Sequence, residues 1–220
     1  FLERLGRRYP DMLIEGCSGG GGRFDAGMLY YTPQIWCSDD TDAIERLEIQ
    51  YGTSFCYPVS TMGAHVSACP NHQTGRTTPL KTRAVVAMAG TFGYELDPGK
   101  LSEEEKEEVR KQITAFKKYY ELIQEGDYFR LTDPARDEHY AAWEFADQEG
   151  KEALLSVVAS KVRTNDPPSR VLLRGLREDA VYEMNGKEYL GGALMHGGFP
   201  LPEASEEYQS WMFHFQIKEK

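Results

Sequence analysis

Residues Ile35 to Leu47 read IWCSDDTDAIERL. An apolar, aromatic run through Trp36 meets three aspartates, Asp39, Asp40 and Asp42, and then a helical repeat. A strand that ends in a polar turn and feeds a helix is the building unit of an α/β fold. It also puts the carboxylates at the C-terminal end of a strand, where barrel enzymes keep their chemistry. A helix start calls for one capping carboxylate, not three. Either one aspartate caps and the others are surface acids, or one is there for acid/base work. Trp36 beside them offers a stacking face for a sugar.

Upstream, MLIEGC (Met12 to Cys17) reads as a short buried strand of the parallel kind, ending at the glycine run Gly19–Gly22. That run is not a P-loop, because no Lys-Ser/Thr follows it. It is not a dinucleotide fingerprint either, because Arg23 and Phe24 follow. Two readings stay open: a tight turn, or a bare loop that lets a ligand reach backbone N–H groups.

Downstream, Ile44, Leu47 and Tyr51 keep helical spacing, with Gly52 as the expected stop. STMGAHVSACP reads as a further strand, TRAVVAMAG as a small-residue helix and TFGYEL as a strand. Ser102 and Glu105 form a capping box ahead of a long helix. Val109, Ile113, Phe116, Tyr120 and Ile123 mark its apolar face. After about Leu131 the period changes to two. ALLSVVAS, RVLLRGL and WMFHFQIK read as strands, and Asn185-Gly186 as a type I′ hairpin turn. The expected architecture is α/β over residues 1–131, then an antiparallel β-sandwich over 132–220.

The chain of 220 residues is 40% hydrophobic and carries a formal net charge of -10. The acidic balance argues against nucleic acid and against an anionic membrane surface, and leaves a neutral ligand such as a sugar open. None of the 4 cysteines has CxxC spacing. Free thiols are expected, and with the acidic charge they point to the cytoplasm. The helical start FLERLGRR, without Met, suggests the later part of a longer protein. His65, Cys69 and His72 are spaced loosely like metal ligands, yet core or pocket-wall roles suit them better, and no metal is expected. Cys17 as a nucleophile would need a histidine base that the sequence does not assign.

CSGGGGRFDAGMLYYTPQIWCSDDTDAIERLEIQYGTS (17–54) and MGAHVSACPNHQTGR (62–76) together resemble the α-galactosidases of glycoside hydrolase family 36. The resemblance implies the C-terminal part of a (β/α)8 barrel followed by an antiparallel β-domain, with a large N-terminal β-domain elsewhere and often a homotetramer. It implies retaining hydrolysis of terminal α-linked galactose from melibiose- and raffinose-type oligosaccharides, without metal or cofactor. Asp39 falls on the family's acid/base. Cys17 falls on a residue lining the galactose pocket, and Ser18 and Gly20 on backbone contacts to the sugar. Asp40 would be a rim neighbour, and Thr41 or Asp42 the helix cap. The family's nucleophile sits in a Lys-Trp-Asp string. AAWEFAD (141–147) lacks the lysine and lies in the β region. The nucleophile is therefore expected upstream, and the chain alone is expected to be inactive. The alternative is a non-catalytic fragment that binds sugar or mediates association. A transferase relative, such as a raffinose synthase, is a third reading.

Overall fold

The computed structural model describes residues 1–137, 139–162, 165 and 168–218. After a helix at Leu2–Arg8, strands β1 (Glu15–Gly16), β2 (Gln34–Trp36) and β3 (Met62–Gly63) form a parallel ladder. Past Ala64 the same segment continues as β4 (His65–Ser67), which pairs in parallel with β5 (Gly93–Glu95). Helices Ala43–Thr53 and Leu80–Ala87 connect these strands. The expected alternation of strand and helix is present.

Two local expectations give way. Met12 and Leu13 are 42% and 87% exposed, and only Glu15–Gly16 is strand. Among the described residues β1 pairs with β2 alone, so its other side has nothing to be buried against. Gly52 does not stop its helix, which runs on to Thr53 with Ser54 as C-cap.

The long helix covers Glu103–Glu125, and its Ser102/Glu105 capping box is formed. Its buried face is rotated from the expected one. Gln112, Leu122 and Ile123 are buried, whereas Ile113 and Tyr120 lie open to solvent.

Strands β6 (Asp127–Arg130), β7 (Tyr140–Ala146), β8 (Glu152–Ala159), β9 (Arg170–Val171), β10 (Val181–Met184), β11 (Lys187–Leu190), β12 (Phe199–Pro200) and β13 (Ser210–Ile217) follow. Six of them make an antiparallel sheet in the order β11-β10-β13-β8-β7-β6, and β9 pairs with β12 apart from it. Antiparallel pairing thus begins at Asp127, ahead of the switch expected after Leu131. Asn185 and Gly186 have φ of 51° and 74°, the two positive values that a type I′ turn requires. The alternation in β13 holds. Trp211, Phe213, Phe215 and Ile217 face one apolar cluster, and Met212 faces the other. The cluster that Met212 faces joins Leu47, Val66, Val85, Ile123, Phe145 and Val158, so helices and sheet share a core. Among the described residues no helix is long and apolar enough to cross a membrane.

Candidate active site

The site is built at the C-terminal ends of the parallel strands. Cys17 follows β1, and Cys37, Ser38 and Asp39 follow β2. Between them the backbone makes a left-handed turn, with φ of 57° at Ser18, 68° at Gly19, 72° at Gly20 and 87° at Gly21. Residues with a Cβ rarely take this conformation. The glycines meet a second demand as well. A Cβ on Gly20 would stand 2.7 Å from the Asp39 nitrogen, and one on Gly21 2.7 Å from the Cys37 carbonyl oxygen. The bare turn is what lets the chain lie flat against the Cys37–Asp39 segment. The Cys17 thiol then comes within 4.0 Å of Asp39 Oδ1. Asp39, Cys17, Ser18 and Gly20 are therefore brought together, with Asp39 and Cys17 both exposed.

The other two aspartates have structural duties. Asp40 folds back, so that its carboxylate accepts the Asp42 N–H at 2.9 Å, while its own N–H donates to Ser38 Oγ at 3.1 Å. Asp42 is buried and caps the Ala43–Thr53 helix, accepting from the Ile44 and Glu45 N–H groups. Arg76 donates to Asp42 at 2.6 Å and to Glu45 at 3.1 Å, and Thr74 also bonds Asp42. Burial pushes the Asp42 carboxyl up, but the hydrogen bonds from Thr74, Ile44, Arg76 and Glu45 outweigh it and hold the group below its usual range.

Trp36 is not available to a sugar. It is 9% exposed, His65 stacks on it at 4.5 Å between ring centres, and the Arg46 guanidinium lies 4.7 Å over its ring. A Cβ on Gly63 would press to 2.9 Å from the indole, so the strand beside it is also in close contact. His65 is a wall residue, with Nδ1 3.7 Å from Glu95. Cys69 bonds the Thr78 carbonyl, and His72 lies exposed. Among the described residues no group of three or more His, Cys, Asp or Glu side chains could hold a metal ion. The cysteines are unpaired, as expected, and burial pushes the Cys37 thiol up.

Pattern reading missed the residues that hold this rim. Asn71 donates to Thr41 Oγ1 at 3.0 Å, Gln73 accepts the Thr41 N–H at 3.1 Å, and Ser67 donates to the Thr41 carbonyl at 2.8 Å. Arg46 and Arg83 are buried in helices and bond backbone carbonyls, Arg46 those of Ser38 and Gly63 and Arg83 those of Ser67 and of Thr78 just before its own helix. The available signal was position. Arg46 lies beside Leu47 in the stripe Ala43, Leu47, Gln50, the face that a surface arginine avoids.

The Melibiase family model matches residues 1–126, and the model described as Glycosyl hydrolase family 36 C-terminal domain matches residues 140–215. The chain is 62% identical over 222 residues to the bifunctional alpha-galactosidase/sucrose kinase AgaSK of Mediterraneibacter gnavus, covering 100% of this chain and 24% of that protein. It is 48% identical over 216 residues to the alpha-galactosidase AgaA of Geobacillus stearothermophilus, covering 98% of this chain and 30% of that one. The solved galactosidase domain of AgaSK superposes with a TM-score of 0.96 at 61% identity, over 99% of this chain and 30% of its own. A variant of AgaA solved in complex with raffinose superposes with a TM-score of 0.96 at 46% identity, with the same coverage. The chain thus spans less than a third of the length of these relatives and aligns along nearly all of its own. From the glycine turn and its aspartate to the antiparallel sheet, this chain belongs to the melibiase family, the α-galactosidases of glycosyl hydrolase family 36.

Proposed function

We propose that the whole protein carrying this chain is a retaining α-galactosidase acting on raffinose- and melibiose-type oligosaccharides, and that Asp39 is its acid/base. The observation that carries the reading is Asp39 itself. It is an exposed carboxylate at a parallel strand's C-terminal end, set against the glycines of the turn and beside the Cys17 thiol. The other aspartates of the cluster are committed to a turn and a cap, which leaves Asp39 free for chemistry. Cys17, Ser18 and Gly20 line the galactose subsite in this reading.

A retaining glycosidase needs a second carboxylate about 5–5.5 Å from the acid. These 220 residues contain no Lys-Trp-Asp string, so the nucleophile comes from residues outside this sequence. That carboxylate attacks the anomeric carbon while Asp39 protonates the departing glycosidic oxygen. Asp39, now ionised, takes a proton from the water that releases galactose. The chain alone is inactive.

In the same reading the parallel ladder is the later part of a (β/α)8 barrel. In this reading further strands pair with the outer side of β1, which has no partner among the described residues. The catalytic part ends near residues 126–131 and the β-domain follows. A homotetramer fits the family resemblance, and unpaired thiols with an acidic surface suit the cytoplasm. Asp39→Asn in the whole protein should lower raffinose turnover by about 10²–10⁴-fold, the usual worth of a general acid. Near-wild-type raffinose hydrolysis by that variant would remove Asp39 from the chemistry.

A further inference from the structure

Asp39 is held through its backbone. Apart from the distant Cys17 thiol, its carboxylate has no side-chain hydrogen bond recorded among the described residues. What fixes the peptide before it is Arg46. This arginine is 3% exposed. Its Nη1 donates to the Ser38 carbonyl at 3.1 Å, Nη2 donates to the Gly63 carbonyl, and Nε donates to Gln50 at 3.3 Å. Gln50 in turn donates its amide to the carbonyls of Val86 at 3.0 Å and Ala89 at 3.1 Å, which keeps its own oxygen turned towards Arg46.

All these acceptors are uncharged. A buried guanidinium bonded to uncharged oxygens is a costly way to fill space, and burial pushes its own pKa down. An apolar side chain would fill the volume more cheaply. What the planar fork supplies is geometry: it ties the carbonyl just before Asp39, at the end of β2, to the neighbouring strand β3. A lysine cannot span both carbonyls in one plane.

We propose that Arg46 is a positioning residue for the acid, setting where the Asp39 carboxyl stands relative to the leaving oxygen. This deepens the α-galactosidase reading and rests on it. The test compares two substrates in the whole protein. Raffinose has a poor leaving group and needs the acid. An aryl α-galactoside with a nitrophenolate leaving group departs with little protonation.

If Arg46 positions the acid, Arg46→Lys should lose about 10²-fold in kcat/KM on raffinose, as a misplacement of about 1 Å can cost. It should lose only a few-fold on the aryl galactoside. Asp39→Asn, measured alongside, should show the same selectivity more strongly. If Arg46→Lys does not fold, Gln50→Ala loosens the same guanidinium and should give the same selective pattern, more weakly. Equal losses on both substrates in a variant that melts like the wild type would overturn the positioning role alone. A wild-type protein that hydrolyses neither galactoside would sink the α-galactosidase reading itself, and the positioning role with it.

Discussion

The two ends of this chain are held together in different ways. The segments around Asp39 are fixed by side chains: Arg46, Arg83, Gln73 and Ser67 bond backbone carbonyls and amides, and Asn71 bonds the Thr41 hydroxyl. The antiparallel sheet is fixed by apolar alternation, with β8 buried along nearly its whole length and β13 alternating between two clusters. The first arrangement rests on directional bonds, each of which needs its own partner in place. The second buries area and tolerates similar-sized apolar exchanges. In the proposed α-galactosidase reading, chemistry sits on the first and bulk stability on the second.

The comparison can be broken hardest at the glycine turn. Gly20→Ala places a Cβ against the Asp39 nitrogen and in a left-handed conformation. Loss of raffinose kcat/KM in the whole protein should approach about 10⁴-fold, the upper worth of a general acid, well beyond the change in stability. A fully active Gly20→Ala protein would show that the close approach is not needed.

A buried carboxylate in the sheet sharpens the contrast. Glu144 on β7 is completely buried. One of its oxygens accepts the Arg174 N–H at 2.7 Å, and the other has no partner among the described residues. Burial pushes its pKa up to about 8. The folded state therefore holds a proton that the unfolded chain has already released near its ordinary value of 4.5. Stability from this group is complete at low pH and is lost as pH rises through about 8. Glu144→Gln should remove this loss, on the order of 5 kcal/mol between pH 4.5 and 8 at most, in denaturant unfolding measured across that range. The same pH slope in wild type and variant would clear Glu144 of the effect.

The smallest expected effect is at the hairpin. Gly186 has a φ of 74° and nothing within 4 Å of an added Cβ. Gly186→Ala should cost only about 1–2 kcal/mol, from the conformation alone, with galactoside turnover unchanged. A loss of activity there would mean that the sheet and the site are less separable than their bonding suggests.

How much could be read from the sequence follows the same division. The Ser102/Glu105 box, the Asn185-Gly186 turn and the alternation of WMFHFQIK are local rules, and each forms in the structure. The helix-start rule says that one acid caps without saying which; the resemblance singles out Asp39 and leaves Thr41 or Asp42 as the cap, and the structure makes the cap Asp42. The rim was not legible. Arg46, Arg76 and Arg83 drew no assignment from the pattern, because their partners are carbonyls and side chains from other parts of the chain. Trp36 looked like a platform because its covering residues, Arg46 and His65, come from elsewhere in the chain. On the long helix, Ile113 and Tyr120 kept the apolar spacing and yet lie uncovered. Periodicity finds an apolar stripe but does not say which part of it this chain packs against.

The placement of β13 governs the order in which the molecule can be completed during synthesis. Residues 210–217 sit between β8 and β10, so β10 and β11 can join the sheet only after β13 has left the ribosome. Until then β8 carries an open, apolar edge, the kind of surface that nascent chains must shield. The consequence reaches the site. Tyr208 and Ser210, at the start of β13, receive the Thr82 hydroxyl, and the Tyr208 ring lies 5.8 Å from the Arg76 guanidinium that holds Asp42. The clasp behind the aspartate cluster therefore closes only once the sheet's central strand is in place, so the surroundings of Asp42 are among the last parts of each new polypeptide to be completed.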